Sequence, residues 1–346
     1  MNIHDIIKKS RNAEQFSRNE LQAMLALSSD SLESYVIMSE AGRISREVSR
    51  NKAEIHAQLA LNLAPCPRDC LFCSFAVTNN IFRTSVVIAP EEAVALALQF
   101  EADGANALYV MATATFDLGR YLEISREIRQ VLHSETIMIA NVGDEYADNA
   151  PALVAAGYSG VYHAVRLREG IDTTISPIRR IESIMAFQEA GLMVGTCVEP
   201  IGPEHTNDEL AEMILLTASF NPSFSGAARR IAIPGTALAE RGMISELRMA
   251  QIVAVTRLAM PRSVRGNCSH EPATVPIIGG ANLLWAEVGA NPRDTKEKTE
   301  EGRGYSVPAI RHLFEETDWQ TLEGPSRFYE GENRNGGCLT GEEKSH

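Results

Sequence analysis

Short apolar runs alternate with amphipathic helical stretches along most of this chain. From residue 56 onward the runs recur at intervals of about 30 residues, which is the spacing of a βαβ unit. Runs that are apolar on both faces suit a parallel sheet that helices cover on the outside. We predict strands at 56–63, 106–112, 136–141, 160–165, 192–198, 229–234, 263–268 and 282–288. We predict helices between them at 89–104, 118–133, about 148–156, 177–190, 207–219, 245–259 and near 271–278.

The count of about eight strand–helix units predicts an α/β fold, a (β/α)8 TIM-type barrel that is complete or nearly so. A partial barrel of six strands is the alternative. Residues 1–50 carry Ser and Asn capping candidates before apolar positions at helical spacing, which predicts an N-terminal helical extension. The barrel then spans 51–322. The Gly-, Asn- and Glu-rich segment 323–346 predicts a mobile C-terminal tail.

Composition and charge narrow the class of protein. Hydrophobic residues make up 45% of the chain and charged residues 22%, which is ordinary for a globular protein. The net charge of −13 argues against a nucleic-acid binder, and no apolar run is long enough to span a membrane. The first residues lack the apolar core of a secretory signal. Three of the six cysteines are clustered, which is typical of metal binding in a reducing compartment, so we expect a cytoplasmic protein.

The cysteine cluster "CPRDCLFC" carries the chemistry. Cys66, Cys70 and Cys73 follow the first predicted strand with the spacing C-x3-C-x2-C. The loops after barrel strands lie at the mouth where TIM-type barrels hold their active sites. Three thiolates on one loop can bind three irons of a 4Fe–4S cube and leave the fourth iron open to a ligand that is not protein. The alternative is a zinc site that a distant residue such as His270 would complete.

This motif, with Phe72 directly before the last cysteine, resembles the signature of the radical S-adenosylmethionine superfamily. The resemblance implies a 4Fe–4S cluster on the three cysteines and S-adenosylmethionine on its open iron. Reductive cleavage would release a 5′-deoxyadenosyl radical that takes a hydrogen atom from a small-molecule substrate, and Phe72 would lie against the adenine. An electron donor such as flavodoxin or ferredoxin is implied as a partner, and a homodimer is left open.

Other predicted strand ends resemble the S-adenosylmethionine contacts of this superfamily. The stretch "RLREGIDT" (166–173) is similar to the Arg-x-Glu-Thr strand end of the iron-hydrogenase maturase, so Glu169 would contact S-adenosylmethionine and Arg180 would pair with its carboxylate. The segments "PIGPEHTNDEL" and "RIAIPGTAL" resemble stretches of biotin synthase. The further contacts that the resemblance implies are Ser74, Thr113, Val198, Ile201, Ile233 and Pro234. The alternatives are surface ion pairs and ordinary strand-end packing.

The similarity runs from about residue 40 to 320 and is to the branch that holds biotin synthase, methylornithine synthase and the iron-hydrogenase maturase. Biotin synthase uses a second cluster as its sulfur donor, but the ends of the second and third predicted strands carry no cysteine here. Cys197 and Cys268 leave an unusual auxiliary cluster or a sulfur relay open; the alternative is that both are small buried apolar residues. Further candidates for substrate or auxiliary contacts are His270, Arg265, Asn141 and His163.

Three hypotheses about function follow. The first is a radical enzyme that acts on a small metabolite, in cofactor or amino-acid-like metabolite biosynthesis, by rearrangement or by formation or cleavage of a C–C bond. The second is sulfur insertion in the manner of biotin or lipoyl synthase. The third is a metal-binding or maturation scaffold without catalysis of its own.

Overall fold

Eight parallel strands form a closed barrel in the computed structural model, which describes residues 2–330. Each strand pairs with the next, and β8 pairs with β1 from Glu54–Leu283 to Leu59–Val288, which closes the ring. The complete barrel is therefore confirmed and the six-strand alternative is excluded. The strands are β1 Lys52–Ala60, β2 Ala107–Met111, β3 Ile137–Asn141, β4 Gly160–Tyr162, β5 Met193–Gly195 with a continuation Val198–Ile201, β6 Phe224–Arg229, β7 Gly266–His270 and β8 Leu283–Val288.

Three helices precede the barrel and eight follow its strands within the described range. Ser17 and Ser31 cap the second and third helices by accepting hydrogen bonds from the main-chain N–H groups three residues later. Within residues 2–330 no helix has the length and apolar character needed to cross a bilayer. The helices are α1 Ile3–Arg11, α2 Arg18–Leu25, α3 Leu32–Val48, α4 Pro90–Ala102, α5 Leu118–Val131, α6 Ala150–Ala155, α7 Pro177–Glu189, α8 Asn207–Ser219, α9 Glu246–Ala259, α10 Thr274–Ile278 and α11 Val307–Glu315.

The sixth strand was predicted at the wrong place. The apolar run at 229–234 predicts a strand, yet β6 is Phe224–Arg229 and the run leaves the barrel as a loop. The sequence of β6, "FSGAAR", consists mostly of small residues because the barrel is tight there. Gly226 has φ +135°, and a Cβ added to it would overlap the main chain of Cys268 on β7. This strand therefore requires small residues, which do not produce the apolar run that was used to predict strands.

The N-terminal end of the barrel is closed by the segment after α11. Residues 320–321 pair with the start of β1, and Phe328 and Tyr329 are buried inside the barrel beside His56 and Tyr109. The tail that we expected to be mobile from 323 is thus packed through residue 330. The rest of the predicted tail, 331–346, lies outside the described residues. Because this end is filled, the interior opens at the C-terminal ends of the strands.

Candidate active site at the mouth of the barrel

A cavity of about 230 Å³ lies at the C-terminal ends of the strands. The cysteine loop after β1 forms one wall, and the ends of β4 and β5 form another. Gln58 on β1 is an uncharged residue of the lining. Its side-chain oxygen accepts a hydrogen bond from the Asn141 side chain over 2.7 Å. Of the predicted site residues, those that line the cavity are Cys66, Cys70, Phe72, Cys73, Thr113, Asn141, Arg180, Cys197 and His270.

The cysteine loop is held in place by its own hydrogen bonds. The main-chain N–H of Cys66 donates to the Phe75 carbonyl over 2.7 Å, and the Asn79 side chain donates to the Cys73 carbonyl over 2.8 Å. Burial raises the pKa of Cys70 to about 11 and that of Cys73 to about 12. Both side chains are therefore protonated thiols at neutral pH until a cation draws the protons away.

The three sulfurs are not gathered around the position of a single zinc ion. Sulfurs that bind one tetrahedral zinc lie about 3.8 Å apart, because each Zn–S bond is about 2.3 Å long. Among residues 2–330 the three sulfurs do not all lie within 4.8 Å of one another; the group that does meet this limit is Asp172, Glu204 and His205. Thiolates that bind separate irons of one cube are spread more widely. The donor set therefore fits a 4Fe–4S cluster with one iron left without a protein ligand.

Arg180 lies beside this loop, but its charge is already paired. Its Nε is 3.2 Å from Glu169 Oε2, and one terminal nitrogen is 3.2 Å from Asp144 Oδ2. The Arg180 side chain is only 7% exposed. His163 completes this buried network, since its Nε2 lies 2.8 Å from Asp144 Oδ1. The structure thus places Arg180, Glu169 and His163 together as mutual partners, with His163 outside the cavity lining.

The charges of this network fix the protonation of its members. Burial alone would raise the pKa of Asp144, but the hydrogen bond from His163 and the Arg180 charge outweigh it and hold that pKa well below its usual range. Burial lowers the pKa of His163, so the ring is neutral at neutral pH. A neutral His163 donates its Nε2 proton to Asp144 and carries no charge of its own.

Arg166, which follows β4, is less buried than Arg180 and is ion-paired with two carboxylates, with one terminal nitrogen 3.9 Å from Glu169 Oε2. Its Nε is 3.5 Å from the Glu199 carboxylate, and its side chain is 25% exposed. The same terminal nitrogen has no hydrogen-bond partner in the part of the chain that the structure describes. Arg166 is close enough to Cys70 to lower the pKa of that thiol, against the larger effect of burial. The geometry therefore favours Arg166 over Arg180 as the group that meets a carboxylate.

The opposite wall carries a second charged group, which comes from β7, β8 and the loop after β8. Arg293 donates to Glu287 over 2.8 Å and to His270 Nε2 over 2.5 Å. The His270 ring stacks on Trp285 with 5.3 Å between the ring centres. Burial works to raise the pKa of Glu287, but Arg293 and His270 hold it far below its usual range. Sequence reasoning missed Glu287 and Arg293; a carboxylate inside an otherwise apolar strand was the available signal.

Several predicted contacts lie away from the cavity. Arg265 was proposed as a substrate or auxiliary contact, and this is corrected: it precedes β7 and pairs with Glu330 at the closed end of the barrel. Val198 and Ile201 are buried in the apolar layer between the barrel and helices α8 and α9. The other displaced predictions are Ser74, which is fully buried behind the cysteine loop, Ile233, which is buried without lining the cavity, and Pro234, which is exposed.

Cys197 and Cys268 do meet inside the barrel. Their sulfurs are 2.7 Å apart, both residues are buried, and Cys197 lines the cavity floor. His270 does not join them, since within the described residues these three side chains do not bring their ligand atoms within 4.8 Å of one another, and Arg265 lies at the other end of β7. The candidates for an auxiliary cluster are therefore not brought together as one ligand set.

Thr113 lines the cavity at the end of β2 and is held there by Asn62. Thr113 Oγ1 accepts a hydrogen bond from the Asn62 side chain over 2.7 Å, and its main-chain N–H donates to Asn62 Oδ1 over 2.9 Å. Both side chains are buried, so the end of β2 is fixed beside the cysteine loop.

Curated biotin synthases are the sequence relatives of this chain. The enzyme of Phenylobacterium zucineum (strain HLK1) is 27% identical over 261 residues, which cover 70% of this chain and 77% of that protein. The enzyme of Neorickettsia sennetsu (strain ATCC VR-367 / Miyayama) is 26% identical over 265 residues, covering 72% and 81%. No protein-family profile matches the sequence.

Solved structures share the barrel. Methylornithine synthase has a TM-score of 0.77 at 15% identity, with 93% of this chain and 98% of that chain covered. The FeFe-hydrogenase maturase from Carboxydothermus hydrogenoformans has a TM-score of 0.72 at 18% identity, covering 91% and 78%. These solved structures agree with this chain in fold. The cysteine loop and the sequence relatives indicate the chemistry. The chain belongs to the radical S-adenosylmethionine superfamily of enzymes, in the branch of biotin synthase, methylornithine synthase and the iron-hydrogenase maturase.

Proposed function

We propose that this enzyme binds a 4Fe–4S cluster and S-adenosylmethionine and takes a hydrogen atom from a small-molecule substrate. The observation that carries the proposal is the set of three thiols on one loop at the open end of a barrel whose other end is filled. A cluster held there, with S-adenosylmethionine on its open iron, supplies the electron that cleaves the sulfonium and yields the 5′-deoxyadenosyl radical. An external electron donor such as flavodoxin or ferredoxin is part of this proposal.

The residues around the loop would bind and orient S-adenosylmethionine. Arg166 offers to the carboxylate the terminal nitrogen that has no hydrogen-bond partner among the described residues, and a charge-assisted hydrogen bond of this kind is worth about 1.5–3 kcal/mol. Phe72 lines the cavity between two of the cysteines and offers an aromatic face to the adenine. Arg180 acts indirectly, because its ion pairs hold the carboxylates of Glu169 and Asp144 in place near Arg166.

The cavity itself would select and protect the substrate. Phe328 and Tyr329 fill the far end of the barrel, which excludes water from that side and helps to shield a reactive carbon radical from side reactions. His270, Arg293, Gln58 and Asn141 line the cavity and offer polar contacts to a small metabolite. We therefore propose a small polar substrate in cofactor or amino-acid-like metabolite biosynthesis, altered by rearrangement or by a change at a C–C bond.

Sulfur insertion receives less support from the site. Where strands β2 and β3 end, the described chain carries Met111 and Asn141 in place of thiols. With His270 engaged by Arg293, Cys197 and Cys268 are left as two thiols without further ligands. A single cluster per chain is what this arrangement favours.

The test is anaerobic reconstitution of the full chain, followed by iron and sulfide counting and electron paramagnetic resonance. We expect about four irons and four sulfides per chain, and a change in the signal of the reduced cluster when S-adenosylmethionine is added. A Cys70→Ser variant should hold markedly less iron, whereas a Cys268→Ser variant should hold as much as the wild type. A tightly bound zinc ion in place of iron would overturn the proposal, and clearly more than four irons would favour sulfur insertion.

A further inference from the structure

The pair Cys197 and Cys268 at the cavity floor is not used by the proposed reaction. Cys197 sits in the two-residue break of β5, between Gly195 and Val198, and Cys268 sits on β7. In a TIM-type barrel the inward side chains of alternate strands meet in one layer. That geometry brings the two sulfurs to 2.7 Å, well inside ordinary non-bonded contact.

The strand between them is built to permit this approach. Gly226 on β6 lies directly opposite Cys268 in the β6–β7 register. A Cβ at position 226 would overlap the Cys268 main chain and lie 2.7 Å from the Cys268 sulfur. The missing side chain thus leaves the space in which the two thiols meet.

We propose that Cys197 and Cys268 form a redox-active dithiol that closes to a disulfide at the floor of the cavity. Closure removes two electrons and two protons from the pair. A diazene oxidant such as diamide accepts them at its N=N bond and becomes the hydrazine. With a small disulfide, the Cys197 thiolate attacks one sulfur and releases a thiol; Cys268 then attacks the mixed disulfide, forms the internal S–S bond and releases the second thiol.

Cys197 and Cys268 differ in their access to the cavity, and so in the step that each would carry out. Cys197 lines the cavity and is the sulfur that an entering oxidant reaches, whereas Cys268 is fully buried and does not line it. Burial, with Cys268 adding to it, raises the pKa of the Cys197 thiol, so the pair rests as two thiols and reacts slowly. The reduced pair presents the Cys197 S–H group to the cavity, and the disulfide presents none.

This inference does not depend on the proposed function, and its test reads the chain itself. The full-length enzyme, with its cluster reconstituted, is treated with diamide under argon, alkylated in denaturant, digested with trypsin and analysed by mass spectrometry. Cys197 falls in peptide 181–229 and Cys268 in peptide 266–293. We expect a linked pair two hydrogens lighter than the sum of the two peptides, a loss of at least tenfold in alkylated Cys197, and recovery of both separate peptides after reduction.

Two controls make the result decisive. In Cys268→Ser, which nearly preserves the side-chain volume, diamide should leave Cys197 alkylated at the level of untreated protein. The same mapping on the cluster-free chain should give the same link, which separates this inference from any failure of cluster assembly. Separate alkylated peptides after oxidation, or a link from Cys197 to any cysteine other than Cys268, would overturn the proposal.

Discussion

Replacing Arg180 with Met should destabilise the fold, although sequence resemblance assigns this residue to ligand binding. Arg180 is 7% exposed and lies 3.2 Å from each of two carboxylates, those of Asp144 and Glu169. Methionine keeps much of the side-chain volume but removes the charge. Two buried carboxylates then lose their shared cation, which makes the effect electrostatic and not a matter of packing.

The size of the effect follows from protonation. Removing one partner of a buried ion pair costs about 3–5 kcal/mol. Protonating one carboxyl at pH 7 costs about 4 kcal/mol, since its ordinary pKa is near 3.9 and each pH unit is worth about 1.4 kcal/mol, and this limits the loss per group. We expect Arg180→Met to lose about 3–5 kcal/mol of unfolding free energy at pH 7.

The pH dependence has a definite sign. Without Arg180 the pKa of Asp144 in the folded variant rises above its unfolded value, so the folded state binds the extra proton and becomes less stable as pH rises. The difference in unfolding free energy between wild type and Arg180→Met should therefore be smaller at pH 5 than at pH 7, by about 1–2.5 kcal/mol. Urea unfolding followed by circular dichroism at both pH values measures it.

Arg166→Met is the comparison variant, because Arg166 also pairs with Glu169 but at a longer distance, 3.9 Å, and its side chain is 25% exposed. It should lose about 1–3 kcal/mol of stability, less than Arg180→Met, since Glu169 keeps its pair with Arg180, and weaken S-adenosylmethionine binding about 10- to 100-fold, the equivalent of one charge-assisted hydrogen bond. Equal stability of Arg180→Met and wild type at pH 7, or a deficit that does not change with pH, would refute the reasoning.

Three further predictions concern other parts of the molecule. Cys70→Ser should lower bound iron after reconstitution at least several-fold, because one of the three thiol ligands is lost. Gly226→Ala should lose about 3–5 kcal/mol of stability, since the new Cβ combines a positive φ with overlap against Cys268. Glu204→Gln should lose about 3 kcal/mol at pH 7, because the Arg230 side chain is only 2% exposed and is left without its carboxylate partner. Burial works to raise the pKa of Glu204, but Arg230 holds it at about 2. The stability of the wild type therefore falls as pH drops from about 4.5 to 2, and the variant, which has no carboxyl at this position, should not show this part of the decrease.

The Gly226 and Glu204 variants each have a control measurement. Gly191→Ala shares a positive φ, +89°, but a Cβ there meets nothing within 4 Å, so it should cost only about 1–2 kcal/mol. If both glycine variants are equally stable, the close approach at position 226 is not the cause. Thermal midpoints recorded across the acid range test Glu204; parallel curves for variant and wild type would count against the Arg230 pairing.

The strand–helix rhythm was sufficient to predict the barrel and the place of the cysteine loop, because both depend on local patterns. The sixth strand was missed since the tight crossing at Gly226 demands small residues that follow no strand period. Arg265 was misplaced because β7 begins at 266 and not at 263, which puts Arg265 before the strand and at the closed end of the barrel.

The pairing of charges was beyond a reading of the sequence. Arg180 on α7 meets Asp144, a residue 36 positions earlier in the chain that follows β3, so the contact joins two different strand–helix units. The same holds for Glu287 and Arg293, whose partner His270 comes from the preceding strand. Residue type and position indicated that these groups lie near the mouth, but only the fold decides which charges remain free.

The central claim is tested most directly by the formation of 5′-deoxyadenosine. The reconstituted enzyme is incubated without oxygen with S-adenosylmethionine and dithionite, and the nucleoside is quantified by liquid chromatography and mass spectrometry. The account predicts 5′-deoxyadenosine from the wild type and none above background from variants with Ala at Cys66, Cys70 or Cys73. A wild-type protein with about four irons per chain that forms no 5′-deoxyadenosine would contradict it.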